Sequence, residues 1–358
     1  MADAPTRSAA SPAPVLWIGG YTTRGEGRGP GLRALDAEAA RAGRTEVLAE
    51  VPLAEPSYVV PHPTLPRSVV CVHETEHSAV SVVTLGPGDQ PEVSTTPTGG
   101  WGACHVAVTQ DGRFAVVAHY VSGSVAVIDL ESGRRTATVA LAGSPGPVAD
   151  RQDAPHAHHV LLAPRFEEGG WLVLVCDLGT DAVHRFRLGT DGTLTEADAP
   201  VRLPAGTGPR HAALVAGRLL VVCELSSELW LGAPTDDGAR TWHESARIPT
   251  TARPTPDGLA AALRLLPDAG AGTRVLVSTR GPDSVTVVDV SPADDDGPPL
   301  VARAEHAAGG RWPRDVLVDG ELVWVACERG DVVTAVRWAD GTEVARLASG
   351  TPTGLALT

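Results

Sequence analysis

The chain has 358 residues, 43% of them apolar and 20% charged, a globular composition with room for one large core or several small ones. Its formal charge of −14 argues against nucleic acid or an anionic membrane as partner, although an acidic body can still hold a local basic pocket. All 29 basic residues are arginine, so mechanisms that need a lysine, Schiff-base or P-loop, are excluded.

From the N-terminus, residues 1–14 (MADAPTRSAASPAP) are small, polar and proline-rich. They read as a disordered tail, neither signal peptide nor anchor, and no later apolar run approaches membrane-spanning length. From Val15 a phrase recurs. Apolar runs ending in a polar or aromatic residue fall at VLWIGGY (15–21), VVCVHE (69–74), AVVAHY (115–120), LVLVCD (172–177), LLVVCE (219–224), RVLVSTR (274–280) and LVWVACE (322–328). The spacing, roughly 50 residues, is that of β-propeller blades. Each run is followed by a segment of period-two alternation (GLRALD, AVSVVTL, SVAVIDL, AVHRFRL, ELWLGA, SVTVVDV, VVTAVRW) and then by a more polar one suited to an outer edge. No helix is expected. GEGRGPG (25–31) reads as a hairpin loop, and Asp294, Asp295 and Asp296 as a solvated turn.

A leading segment precedes six of the runs: PSYVVP (56–61), ACHVAV (103–108), HAHHVLLAP (156–164), PRHAALV (209–215), DGLAAALRL (257–265) and PRDVLV (313–318). The seventh, TPTGLALT (351–358), stands alone at the C-terminus, whereas VLWIGGY lacks a leader. Pairing the two closes a ring and removes its open edges. The expected fold is therefore all-β: a seven-bladed propeller over 15–358, one domain, closed by the C-terminal strand in the N-terminal blade.

In such a ring the leading segments line the channel, and their first residues open onto one mouth. That gathers Ser57, Tyr58, Cys104, His105, His156, His158, Arg210, His211, Arg314 and Asp315. The ends of the following runs add Tyr21, Glu74, Tyr120, Asp177, Glu224, Arg280 and Glu328. Arg210, Arg280 and Arg314 can grip a carboxylate or phosphate, and the histidines can exchange a proton near neutrality. The alternative for any one of them is a structural pairing between blades. On a regular strand His156 and His158 point one way and His159 the other, towards inter-blade packing. A metal would need a third ligand such as His105 or His211, and the arginines repel a divalent cation, so no metal and no cofactor are expected. Cys71, Cys104, Cys176, Cys223 and Cys327 form no C-x-x-C pair and read as free thiols of a reducing compartment. Neither a G-x-S-x-G elbow nor a phosphate loop occurs.

The wording of these segments resembles the lactonase family of seven-bladed propellers, which includes the propeller-type cytoplasmic 6-phosphogluconolactonase and the fungal carboxy-cis,cis-muconate cycloisomerases. The similarity runs from about Val15 to the C-terminus; PHAHHV, DLGTD and GTGPRH together carry it most specifically. It departs at His119-Tyr120 and His73-Glu74, where the family usually has asparagine, a residue this chain lacks. The resemblance implies a catalytic group of His158 (ahead of His156), Arg210, Glu224 and Arg280; beside them His156, His105, Tyr21, Arg314 and Gln152 are expected to bind substrate. It implies hydrolysis of a small anionic lactone, 6-phosphogluconolactone foremost, in the pentose phosphate pathway; the free thiols and the N-terminal composition make the cytoplasm the expected location, and a monomer or weak homodimer is expected. On this reading His158 activates water, Arg210 or Arg280 holds the oxyanion, and Arg151 and Gln152, on loop 142–155, close over the mouth. A muconate-type cycloisomerase and a non-catalytic binding propeller are the alternatives.

Overall fold

Alternating apolar segments bury one face only when sheets stack, and here they pair into seven four-stranded antiparallel sheets. The structure, a computed structural model, describes residues 13–164, 169–235, 241–267, 273–292 and 297–358. The expected tail, apart from Ala13 and Pro14, and the Asp294–Asp296 run lie outside the described residues. Six sheets are consecutive in sequence, with inner strands Tyr58–Pro61, Ala103–Val108, Ala157–Pro164, Pro209–Val215, Leu259–Leu265 and Pro313–Asp319 for blades two to seven. Blade one takes its inner strand, Pro352–Leu357, from the C-terminus and pairs it with Val15–Gly20. Val15 and Thr358 exchange backbone hydrogen bonds of 2.8 and 3.0 Å, and the Trp17 indole donates to the Thr358 hydroxyl at 3.0 Å. The seven-bladed ring closed by its C-terminal strand is thus the fold that the repeats predict.

Burial follows position within a blade. Second strands such as Ser68–His73 and Phe114–His119 are buried throughout, whereas the outer strand Arg134–Ala140 is largely exposed. Seven apolar clusters fill the seven junctions between adjacent blades. Phe114, Val116, Val173 and Phe186 belong to the cluster joining blades three and four, and Leu16, Ile18, Trp324 and Leu347 to that joining blades one and seven. All five cysteines are free and buried, as their apolar surroundings suggest. One turn of helix, Ala37–Arg41, departs from the all-strand expectation. Its alanines favour helix, Asp36 caps it by accepting from Ala39 N at 2.7 Å, and Arg41 ties it to Asp319 of blade seven at 2.7 Å.

One irregularity recurs and matters for the site. In the inner strands of blades one, three, four, five and seven, the pairing register skips one residue: Thr353, Cys104, His158, Arg210 and Arg314 respectively. Each is a β-bulge, which bends the strand and re-aims a side chain that alternation would place elsewhere.

Candidate functional site

Where the inner strands of blades four and five begin, buried side chains assemble around one carboxylate. Glu224 directly follows the second strand of blade five, Arg218–Cys223, and is 1% exposed. Its Oε2 pairs with Arg210 Nη1 and, at 2.9 Å, with Arg280 Nη2; its Oε1 pairs with Arg151 Nη2 at 2.5 Å. Backbone oxygens steady two of the guanidiniums from blade six. Arg210 Nε donates to Ala261 O at 3.1 Å, and Arg280 Nη2 to Ala260 O at 3.2 Å. Burial alone would raise the Glu224 carboxyl, but Arg280, Arg210 and Arg151 hold it well below the usual carboxylate range. Burial pulls Arg280 down to about 9 against the pull of Glu224, with Arg210 and Arg314 adding to the fall. Three cations thus share one anion.

Arg210 Nη1 also donates to Nε2 of His158 at 2.6 Å. A guanidinium can only donate, so Nε2 must accept and the imidazole proton sits on Nδ1, which has no hydrogen-bond partner. Burial first, then Arg210, hold His158 well below its ordinary value, so it is neutral at pH 7. His156 is held differently. Its ring stacks on Tyr120 with centroids 4.4 Å apart, Nδ1 lies 2.9 Å from Tyr120 O, and Nε2 lies 2.9 Å from Asp153 Oδ1. Both nitrogens of His156 are engaged, and only His158 meets the Glu224 cluster.

The remaining candidates fall into two further groups. Arg314 donates to the Tyr21 hydroxyl at 2.6 Å and pairs with Glu328 at 3.0 Å, while Tyr21 donates to Glu74 at 2.9 Å. Arg314 is therefore already compensated by acids. His105 lies with His159 and His211 in a histidine layer, ring centroids 4.1 to 5.7 Å apart, bordered by Tyr58. Tyr58 is in turn bonded to Arg264, which pairs with Asp315. Burial pulls His159 down to about 3. Strict alternation fails here: with the bulge at His158, the rings of both His158 and His159 approach His211, at 6.1 and 4.7 Å. His159 does pack between blades, on His105 and His211. Among the described residues no group of three or more His, Cys, Asp or Glu is placed to hold a metal ion.

Loop 142–155 brings Arg151 into the cluster, but Gln152 does not reach it. The Gln152 side chain is fully buried, its amide donating to Leu178 O and Asp181 Oδ1 at 2.9 and 2.8 Å. Sequence reasoning passed over Trp312, whose ring lies 5.6 Å from the Arg280 guanidinium and 3.4 Å from that of Arg329. The only sequence signal for it is its place two residues before Arg314.

The fold and the site together describe a closed seven-bladed propeller with a buried arginine–histidine–glutamate cluster where its inner strands begin. Comparison narrows the class. The family profile described as "Lactonase, 7-bladed beta-propeller" matches residues 15–350, and the chain belongs to that family. It is 28% identical over 330 residues to the 6-phosphogluconolactonase of Bacillus subtilis (strain 168), covering 89% of this chain and 90% of that one. The periplasmic gluconolactonase of Pseudomonas aeruginosa shares the fold with a TM-score of 0.79 at 22% identity, over 96% of this chain and 99% of that one. A protein of Lactobacillus plantarum does so with a TM-score of 0.79 at 23% identity, over 96% and 99%.

Proposed function

We propose that this protein hydrolyses an anionic sugar lactone, with 6-phosphogluconolactone the leading substrate. The observation that carries the proposal is the Glu224 cluster: three guanidiniums against one carboxylate, a surplus of two positive charges inside a protein of net charge −14. A surplus held at a buried, fixed site suits an anionic substrate and the oxyanion that forms from it. The Bacillus subtilis relative's name supports the choice of phosphorylated lactone.

Hydrolysis of a lactone forms a bond from water oxygen to the carbonyl carbon and breaks the ring C–O bond. His158 is the base. Its Nε2 lone pair is occupied by Arg210 in the resting cluster, so the arriving substrate draws the Arg210 guanidinium onto its own oxygen and frees the imidazole for water. His158 takes the water proton as the carbonyl oxygen becomes an oxyanion held by Arg210 or Arg280. The tetrahedral centre then collapses, and His158 returns the proton to the departing ring oxygen. The other arginine holds the phosphate, while Arg314, paired with Glu328, borders the site. Glu224 stays ionised throughout and orients the guanidiniums.

The test is acid release from 6-phosphogluconolactone and from glucono-lactone by purified protein, with and without chelator, against spontaneous hydrolysis. Acceleration that chelator leaves unchanged is expected. No acceleration of either lactone overturns the proposal, and a change in muconate absorbance instead would favour the cycloisomerase reading.

A further inference from the structure

Three parts of the cluster hang from a single carboxylate that touches none of its charged groups. Asp181 closes the turn 177–181 (DLGTD) between the second and third strands of blade four, in a left-handed conformation with φ 51°. It is 6% exposed. Its Oδ1 accepts from Gln152 Nε2 at 2.8 Å, Gly208 N at 2.8 Å and the Thr207 hydroxyl at 3.2 Å; its Oδ2 accepts from Gly206 N at 2.7 Å. All four donors are neutral, and each belongs to a loop that carries a site residue or leads directly into one. Gln152 is the neighbour of Arg151, and Gly208 lies two residues before Arg210. Gly208 O in turn accepts from Glu224 N at 2.8 Å, and Thr207 O from Leu225 N at 3.0 Å.

The other end of the same turn acts on the histidine strand. Asp177 accepts from His156 N at 2.7 Å and from Gly179 N at 3.1 Å, while its second oxygen takes the Thr180 hydroxyl at 2.6 Å and His184 Nε2 at 3.0 Å. Asp177 fixes where the His158 strand begins; Asp181 fixes two loops from different blade junctions at once. A carboxylate that gathers several amide donors costs dearly to disturb, because each donor it releases is left buried and unpaired.

We propose that Asp181 is the positioning residue of the site: it sets Arg151, through Gln152, and Arg210 with Glu224, through the 206–208 loop, at their common meeting point. Where it concerns turnover, the inference rests on the lactone-hydrolase reading; where it concerns geometry, it stands apart from it. Gln152 accordingly acts through Arg151 and not on substrate.

Asp181→Asn is the principal variant, since asparagine tolerates the left-handed conformation but turns one acceptor into a donor facing donors. Gln152→Glu, which sets a second carboxylate against Asp181 with little change of shape, is the second. Two readouts are taken on variants whose circular dichroism at 25 °C matches the wild type. The first is tryptic cleavage of the Arg151–Gln152 bond, identified by fragment mass: at least a tenfold faster cut is expected once the loop is released. The second is kcat/KM for lactone hydrolysis: a loss of about tenfold to a hundredfold is expected. That loss should be non-additive with Arg151→Gln, because both changes remove the same arginine from its place. A purely structural role would lower the melting temperature without either change at 25 °C. Unchanged cleavage, or unchanged kcat/KM, in a folded variant overturns the inference. Should the wild type hydrolyse no lactone, the proposed function falls, while the cleavage readout still decides whether Asp181 places Arg151.

Discussion

Arg210 Nη1 donates to His158 Nε2 at 2.6 Å while also pairing with Glu224. The guanidinium thus stands between the imidazole and the carboxylate, whose direct separation is 4.0 Å. The arrangement differs from a triad, in which an acid orients the imidazole through its second nitrogen; here that nitrogen, Nδ1, is unpartnered.

If His158 is the base, His158→Ala lowers kcat for lactone hydrolysis by about a hundredfold or more, the ordinary worth of a positioned proton acceptor. His156→Ala, which removes a ring stacked outside the Glu224 cluster, has a smaller effect. Both are read by initial rates on protein whose circular dichroism matches the wild type; equal losses would reject the distinction between the two histidines.

Glu224→Gln leaves Arg151, Arg210 and Arg280 facing one another with no anion. Removing one partner from a buried ion cluster costs about 3–5 kcal/mol, seen as a lower melting temperature. Added inorganic phosphate should restore more of that loss in the variant than it adds to the wild type, since an anion bound to the folded state stabilises it. A melting temperature indifferent to the substitution would show that the cluster does not need its carboxylate.

The pH dependence of kcat/KM follows from two groups. If His158 is the base, its neutral form is the competent one, and with its pKa well below 6.5 activity persists as pH falls through 6.5 and is lost only further down. On the alkaline side Arg280 loses its charge near 9, which removes a cation from the cluster. The expected profile is a plateau spanning neutrality with a basic limb near 9, after subtraction of spontaneous hydrolysis. An acid limb centred at 6.5 or above would contradict a buried neutral His158.

Stability carries the opposite signature in acid. His159 titrates at about 3 in the folded protein, below its ordinary 6.5, so between these values the unfolded chain binds a proton that the folded chain refuses. Stability therefore falls as pH drops through that window, by up to about 1.4 kcal/mol per pH unit for each such histidine. His159→Phe should flatten the fall of melting temperature between pH 6.5 and 4. An unchanged slope would place the acid sensitivity elsewhere.

Deleting 351–358 removes the inner strand of blade one and exposes the ladder of Val15–Gly20. The truncated chain should lose cooperative unfolding and elute in aggregates on size exclusion. A monomeric, cooperatively folding truncation would show that closure is dispensable.

The ring was legible because each blade repeats the same run of apolar, alternating and polar segments, and the unpaired phrases at 15–21 and 351–358 could only complete one another. The meeting of His158, Arg210, Glu224 and Arg280 followed from the same repeat, since each stands at a blade's strand start or strand end. The bulges did not. Whether a strand skips a residue depends on its partner's register, and nothing local to Ala157–His159 announces it. Gln152 misled for a related reason: a polar residue in a glycine- and proline-rich loop looks solvent-facing until Asp181, from another turn, takes its amide indoors. Asp181 itself was hidden in a motif whose meaning is three-dimensional.

The recurring bulge also makes this scaffold addressable. Five blades offer the same outlying strand position: His158, Arg210 and Arg314 carry titratable or charged side chains there, and Cys104 and Thr353 carry small ones. Point substitution at these two buried positions, where the Thr353 hydroxyl now donates to Ser57 O at 2.9 Å, is the way to add a further such group without inserting a residue.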